Sequence, residues 1–439
     1  MDRRSLFISL GAAAVVAGLS ACSSGTQTTG DPGAGSSDEQ NASSKPGGAG
    51  GDVGVFTWWA DGSEKLGLEA LQGVFKSEFP NDTFVNLAVA GGAGSNAKAK
   101  LAADLANNNP PDSFQGHAGA ELLDYISKGQ IVAVNDIIDA LGGTGVFPES
   151  LLSKLTVKES IYSVPSNIHR ANVVWTNTQL LAKAKITDTP ANIAAWIADM
   201  DKLRSAGVAT PLAVSGSWTQ VQLLETVLLS DLGTEAYTGL FSGETTWDGP
   251  EVTKAVDNFG KLLSYANKAS DGDDWPVATD MVIDGKAAYN VMGDWAVAQF
   301  ADKKKEEGKD WGWFPVPGTD GTFDFLADSF TLPKGAKNPG GAKDWLTLVG
   351  GAAGQKAFSL AKGSIPARID VPADEFPAYQ QKAMESFKSD KIASSIAHGA
   401  AVNQAWLSDI TTAVSKFYGG KDAAALIKDL TAAAEKNRG

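Results

Sequence analysis

Cys22 is the only cysteine of this 439-residue chain, so no disulfide can close within it and the fold must be held by packing alone. The cysteine ends an N-terminal segment that begins Met1-Asp-Arg-Arg-Ser and continues as an apolar run from Leu6 to Leu19. A basic head, a short apolar stretch and small residues before a cut describe a secretory signal over 1–22. The run is shorter than the roughly 20 residues a bilayer-spanning helix needs. Leu19-Ser-Ala-Cys22 resembles a lipobox, which makes Cys22 the expected lipidation site and new N-terminus. Arg3-Arg4 leaves a twin-arginine route open beside the general secretory one. Residues 23–52 are mostly Ser, Gly, Thr, Ala, Pro and Asn. They cannot bury enough apolar surface to offset their conformational entropy, so a flexible tether with a reach of about 30 Å is expected.

The body, 53–439, exceeds one ordinary core and suits two lobes. Val53 to Thr57 reads as a buried strand ending in Trp58-Trp59, and Leu68, Leu71, Phe75 and Phe79 fall at helical spacing. Thr83 to Val89 is a second strand, Ala97 to Ala106 a second helix stopped by Pro110-Pro111, and Asp112 to Gln115 opens a third strand leading to His117. This alternation predicts a doubly wound α/β lobe. The pattern resumes with a strand over Ala171 to Thr176 and a helix that Pro190 opens near its first turn and that runs to Ala206. Helices are expected over 218–232, 252–266, 279–284, 342–361 and most of 372–439, a strand over 287–292, and extended chain over 323–333.

In open α/β sheets ligands sit beyond the carboxyl ends of strands. The residues there are Trp58-Trp59, Gln115 with His117, Asn167 with His169, and Asp294-Trp295. This set suits a sugar. Indole covers the C–H face of a pyranose, each such contact being worth about 1–3 kcal/mol by analogy with base stacking. Hydroxyls both donate and accept, so they need carboxylates, Lys, or amide and imidazole groups around them. The 12 Trp against 7 Tyr fit either core or ligand platforms. A net charge of −14 argues against nucleic acid, which wants a basic face.

Several segments resemble bacterial extracellular solute-binding proteins of carbohydrate ABC importers, in their glucose/galactose/mannose-type branch. They are Phe56-Thr-Trp-Trp59, Asp112-Ser-Phe-Gln-Gly-His-Ala-Gly-Ala-Glu-Leu122, Val164-Pro-Ser-Asn-Ile-His-Arg170 with Val174-Trp175, Trp218-Thr-Gln220, Met281-Val-Ile-Asp-Gly-Lys286, Met292-Gly-Asp-Trp-Ala296 and Ala327-Asp-Ser-Phe-Thr-Leu-Pro333. The resemblance implies a type II periplasmic-binding-protein-like fold, two α/β lobes joined by hinge crossovers near 167–171, 325–328 and 364–367. The lobes it implies are 53–168 plus 327–365, and 169–326 plus 366–439. The site residues it implies are Trp58, Trp59, Glu64, Gln115, His117, His169, Trp275, Trp295, Asp328, Lys362 and His398, with the indoles stacking and Asp328 and Lys362 sharing adjacent hydroxyls. Trp175 and Trp218 are read as core, and Glu64 can equally serve its helix dipole. The implied function is capture of a hexose such as glucose, galactose or mannose by a monomer tethered to the membrane by its lipid, and delivery to permease subunits. A di- or oligosaccharide is the alternative ligand.

Other classes fit less well. The histidines lack metal-site spacing, so neither a metal nor another cofactor is expected. Gly91-Gly-Ala-Gly94 lacks the Gly-Lys-Ser/Thr ending of a phosphate loop, and no Gly-x-Ser-x-Gly elbow occurs. A surface-anchored glycoside hydrolase, with two carboxylates flanking one bond, is the rival from another class. A peptide or amino-acid receptor would want a buried Arg for the ligand carboxylate, with Arg170 the candidate.

Overall fold

The computed structural model describes residues 50–90 and 94–438. The expected signal, the lipidated Cys22, most of the tether and the first three glycine-loop positions (91–93) lie outside the described residues. Gly51 and Asp52, counted with the tether, belong to the first strand.

Two sheets organise the body. In the first, the spatial order is Ile365–Pro366, Val164–Arg170, Thr322–Pro333, Ser113–His117, Gly51–Phe56 and Asp82–Asn86. The last three are parallel and are linked by the helices Gly62–Glu78 and Ser95–Ala106. Helix Gly62–Glu78 turns Leu68, Leu71 and Phe75 inward at helical spacing, and this apolar stripe is what fixes it to the sheet. The second sheet runs Trp311–Pro315, Val173–Asn177, Tyr289–Val291, Leu212–Ala213. Helices Ser217–Ser242, Pro250–Leu263, Gln404–Gly420 and Ala423–Asn437 pack with one another on that side. The buried apolar side chains fall into two clusters, the first of which runs through both sheets. Among the described residues no helix is long and apolar enough to cross a membrane.

The crossovers lie side by side. Two residues separate the end of strand Val164–Arg170 from Val173, which opens the strand Val173–Asn177 of the second sheet. It pairs antiparallel with Thr322–Pro333, Phe325 opposite Arg170 and Asp328 opposite Asn167, and on its other edge with Ile365–Pro366. All twelve residues of Thr322–Pro333 are buried, Asp324 and Asp328 among them.

The structure differs from expectation in several places. Helix Ile193–Ser205 starts beyond Pro190, capped by the Asn192 side chain accepting from the Ala195 N–H. The expected helix over 342–361 is two, Pro339–Gly350 and Ala352–Lys362, divided at Gly351, whose φ of −78° and ψ of 151° are extended. Helix Ser217–Ser242 is interrupted at Gly233, where φ is 76°. Strands Val164–Arg170, Trp311–Pro315 and Lys391–Ser394 carry no alternation by which to find them, since their neighbours cover both faces or they are short.

Candidate functional site

Sheet register puts the polar residues together. Asp328 stands directly opposite His117 on one neighbouring strand and Asn167 on the other. Gln115 and His169 lie two residues along those strands, on the same face because side chains alternate. A bulge follows Asp328, with Ser329 opposite Pro165, and local bulges re-aim side chains beside functional sites. Asp328 Oδ1 accepts from Gln115 Nε2 at 2.7 Å and Oδ2 from Asn167 Nδ2 at 3.1 Å. His117 Nε2 and His169 Nε2 lie 3.6 Å and 3.4 Å from the same two oxygens. Burial would raise this carboxyl, but the hydrogen bond and charge of His169, the charge of His117 and the Gln115 amide outweigh it and hold it below the usual carboxylate range.

Each imidazole is fixed from behind. His169 Nδ1 bonds Asp294, which also accepts from the Arg170 N–H. Burial lowers the His169 pKa, yet Asp294 and Asp328 together raise it. His117 Nδ1 sits 2.9 Å from Glu121, one helical turn on, and Lys98 Nζ donates to the same Glu121 oxygen at 2.8 Å. Burial works against ionising Glu121, but Lys98 and His117 bring its pKa down to about 2. Gln115 is one step removed from the cleft. Its Oε1 accepts from Thr57 Oγ1 and from the Trp58 N–H, tying the Trp pair to Asp328.

Around this base lies a narrow cleft. Trp58, Trp59, Glu64, His117, His169, Trp275, Trp295, Asp328, Lys362 and His398 line it, all named from sequence. Trp58 packs against His117 with ring centroids 4.8 Å apart. From the other lobe Trp295 meets His169 at 5.1 Å and His398 at 5.2 Å. Lys362, at the end of its helix, is buried and donates to Glu64 at 3.0 Å. Burial raises the Glu64 carboxyl, with Lys362 opposing. Two glycines permit close approach. A Cβ on Gly94, where φ is +87°, would stand 2.8 Å from the Trp58 ring, and one on Gly293 would stand 2.1 Å from the Trp295 ring.

Four lining residues were not chosen from sequence: Gly94, Trp218, Asp274 and Leu326. Trp218, read as core, is buried in the core cluster and also borders the cleft. It lies 5.7 Å from His398 and 6.4 Å from Trp295, its Nε1 donating to Asp274 at 3.2 Å. Its helix is buried on every side up to Leu229, so periodicity gives no sign of which face meets a ligand. Asp274 was legible in principle, as the N-cap ahead of Trp275-Pro276. Trp175 is core, its ring in tilted and edge contact with Phe300, Trp311 and Tyr379. Arg170 does not line the cleft. Its guanidinium is spent on Asn172, Ser386 and the Thr322 carbonyl, which deprives the peptide-receptor reading of its cation. No group of three or more metal-binding side chains occurs among the described residues.

Comparison with known proteins gives the same picture. Residues 45–356 match the family described as bacterial extracellular solute-binding protein. An uncharacterized ABC transporter extracellular-binding protein of Pyrococcus horikoshii is 34% identical over 373 residues, covering 84% of each chain. A probable sugar-binding periplasmic protein of Mesorhizobium japonicum is 32% identical, over 84% of this chain and 89% of the other. Among solved structures, a chitin oligosaccharide binding protein superposes with a TM-score of 0.77 at 22% identity, over 88% of this chain and 98% of that one. That last likeness speaks to fold. Neither the family nor these relatives supports the glycoside hydrolase alternative.

Proposed function

Because this chain belongs to the bacterial extracellular solute-binding proteins, we propose that it captures a sugar for an ABC importer, closing two lobes on it and presenting it to permease subunits. The single observation carrying this reading is the composition of the cleft wall: indoles from both lobes face a base of carboxylate, imidazole and ammonium groups that are already paired with one another. Such a wall offers flat apolar faces and many hydrogen-bonding atoms, which is what a pyranose ring presents in return. The name of the Mesorhizobium japonicum relative supports the class.

A hexose is the favoured ligand within that class. The space left between the side chains of the cleft is small, which disfavours a chain of several rings. Trp58, Trp59, Trp275 and Trp295 would cover the ring, Asp328 and Lys362 would take adjacent hydroxyls, and His117, His169, Glu64 and His398 the rest, with Gln115 orienting Asp328. Ligand bridging the lobes favours the closed state because only that state makes both sets of contacts. The lobes would comprise 53–168 with 327–365, and 169–326 with 366–439. Lipidated Cys22 and the tether would hold a monomer at the outer face of the membrane.

Titration calorimetry with glucose, galactose, mannose, xylose and maltose tests the reading. Micromolar binding of one hexose, about −8 kcal/mol, with no products from oligosaccharides is the expected result. Turnover, or affinity for none of the five, would overturn it.

A further inference from the structure

Behind His398 the structure holds a buried relay that the sugar contacts do not use. Glu225 lies in the long helix of the second lobe, fully buried, and its Oε2 accepts the Ile396 and Ala397 N–H groups at 2.6 and 2.8 Å. Its Oε1 accepts the Ser395 hydroxyl at 2.9 Å. That same hydroxyl oxygen lies 2.8 Å from His398 Nδ1. On the far side of the ring, His398 Nε2 is buried and makes no hydrogen bond to the protein, while the ring lines the cleft.

One hydroxyl carries one proton. If Ser395 gives it to Glu225, it can only accept at His398, so Nδ1 must bear the hydrogen and Nε2 must present a lone pair. The opposite arrangement would need a proton on Glu225 Oε1. The neighbouring Asp324 makes that unnecessary. It is fully buried, both its oxygens accept nothing from the protein, and the charge of Glu225 disfavours its ionisation. Two such carboxyls do not both ionise. Once the pH has passed about 7, Glu225, which receives three hydrogen bonds, carries the charge, while Asp324, which receives none, still keeps its proton. Burial and the neighbouring cations leave His398 itself uncharged.

We propose that Glu225 and Ser395 are specificity-determining residues that fix His398 in its Nδ1–H form, so that the second lobe shows the ligand an acceptor. Trp295 Nε1, likewise without a protein partner, is a donor beside it. A hydroxyl satisfies both kinds of neighbour, whereas an ether oxygen or a fluorine can serve only the indole. The role at the ligand rests on the sugar reading above; the tautomer does not.

With only three histidines in the chain, two-bond proton–nitrogen correlation spectra of the sugar-free, ¹⁵N-labelled protein read the tautomer directly. At about pH 8, where Glu225 is charged, the expected wild-type result is an uncharged His398 with hydrogen on Nδ1. Ser395→Ala should move it toward Nε2–H and weaken binding of the best hexose by about two- to tenfold. A wild-type Nε2–H signal would overturn the proposal without any variant having to fold. A Ser395→Ala spectrum unchanged from wild type would overturn the part given to Ser395. A protein with the Nδ1–H form that bound none of the five sugars would refute the function proposed above and leave the relay standing.

Discussion

The two lobes contribute unlike halves to one cleft. On the side of the larger sheet, the cleft-facing polar groups are tied to protein: Asp328 is held by Gln115 and Asn167 with two imidazoles beside it, and Lys362 is spent on Glu64. On the other side stand Trp295, Trp218, Trp275 and His398, and the polar atoms Trp295 Nε1 and His398 Nε2 make no bond to the protein. One half is finished before a ligand arrives, the other half is completed by it. Such a division puts rigidity where buried charge demands it, since an unpaired buried charge costs several kcal/mol. It also places the freedom to accept a new partner on side chains whose desolvation is cheaper.

The severest challenge to that contrast is Asp328→Ala. If the finished half is a network, removing its centre should lower the unfolding free energy by about 3–5 kcal/mol and abolish hexose binding. Urea denaturation and calorimetry read the two losses, and a variant as stable as wild type would erase the distinction. Trp295→Ala attacks the other half. It should weaken hexose binding about 10- to 100-fold, by loss of a stacking face worth about 1–3 kcal/mol, while circular dichroism shows an intact fold. Trp218→Ala should cost less affinity, because its N–H is already engaged by Asp274.

Protons separate the halves more finely. In the second lobe, burial raises Glu225 to about 7 from its ordinary 4.5. Between those values the folded chain holds a proton that the unfolded chain has released. Its contribution is therefore fully present below pH 4.5 and is lost as pH rises through 7. Glu121, in the first lobe, is depressed to about 2, so its contribution is present above pH 4.5 and lost as pH falls through 2. Glu225→Gln should flatten the decline in stability between pH 4.5 and 7, a slope of at most about 1.4 kcal/mol per pH unit. Chemical denaturation across that range measures it, and an unchanged slope would remove Glu225 as its source. The smallest effect belongs to a surface pair remote from both halves. Lys436→Ala, whose partner Asp409 is also solvent-accessible, should change stability by less than about 1 kcal/mol and leave hexose affinity unaltered.

What the sequence discloses about this contrast follows physical locality. The parallel strands and linking helices of the first lobe are local repeats of period 2 and 3.6, and they were legible to within a few residues. The extended reading of 323–333 is equally local. The meeting of Gln115 with Asp328 is not, since the two are 213 positions apart and joined only by sheet register. Resemblance rather than periodicity brought them to notice. Trp218 escaped because a helix buried all round hides which face borders a ligand. Glu121 escaped too, though its spacing of four from His117 on a strand-to-helix turn was a signal in plain view.

Ile365–Pro366, Val164–Arg170 and Thr322–Pro333 form a ribbon three strands wide. Interstrand hydrogen bonds resist shear along the strands, because sliding by one residue would turn every buried side chain to the wrong face. The ribbon can still bend and twist as one plate. On the proposed function, opening of the lobes would thereby be confined to something near a single rotational coordinate. Asp328, on the strand between Val164–Arg170 and Ser113–His117 and partnered on both flanks, would travel with that pivot and keep its geometry.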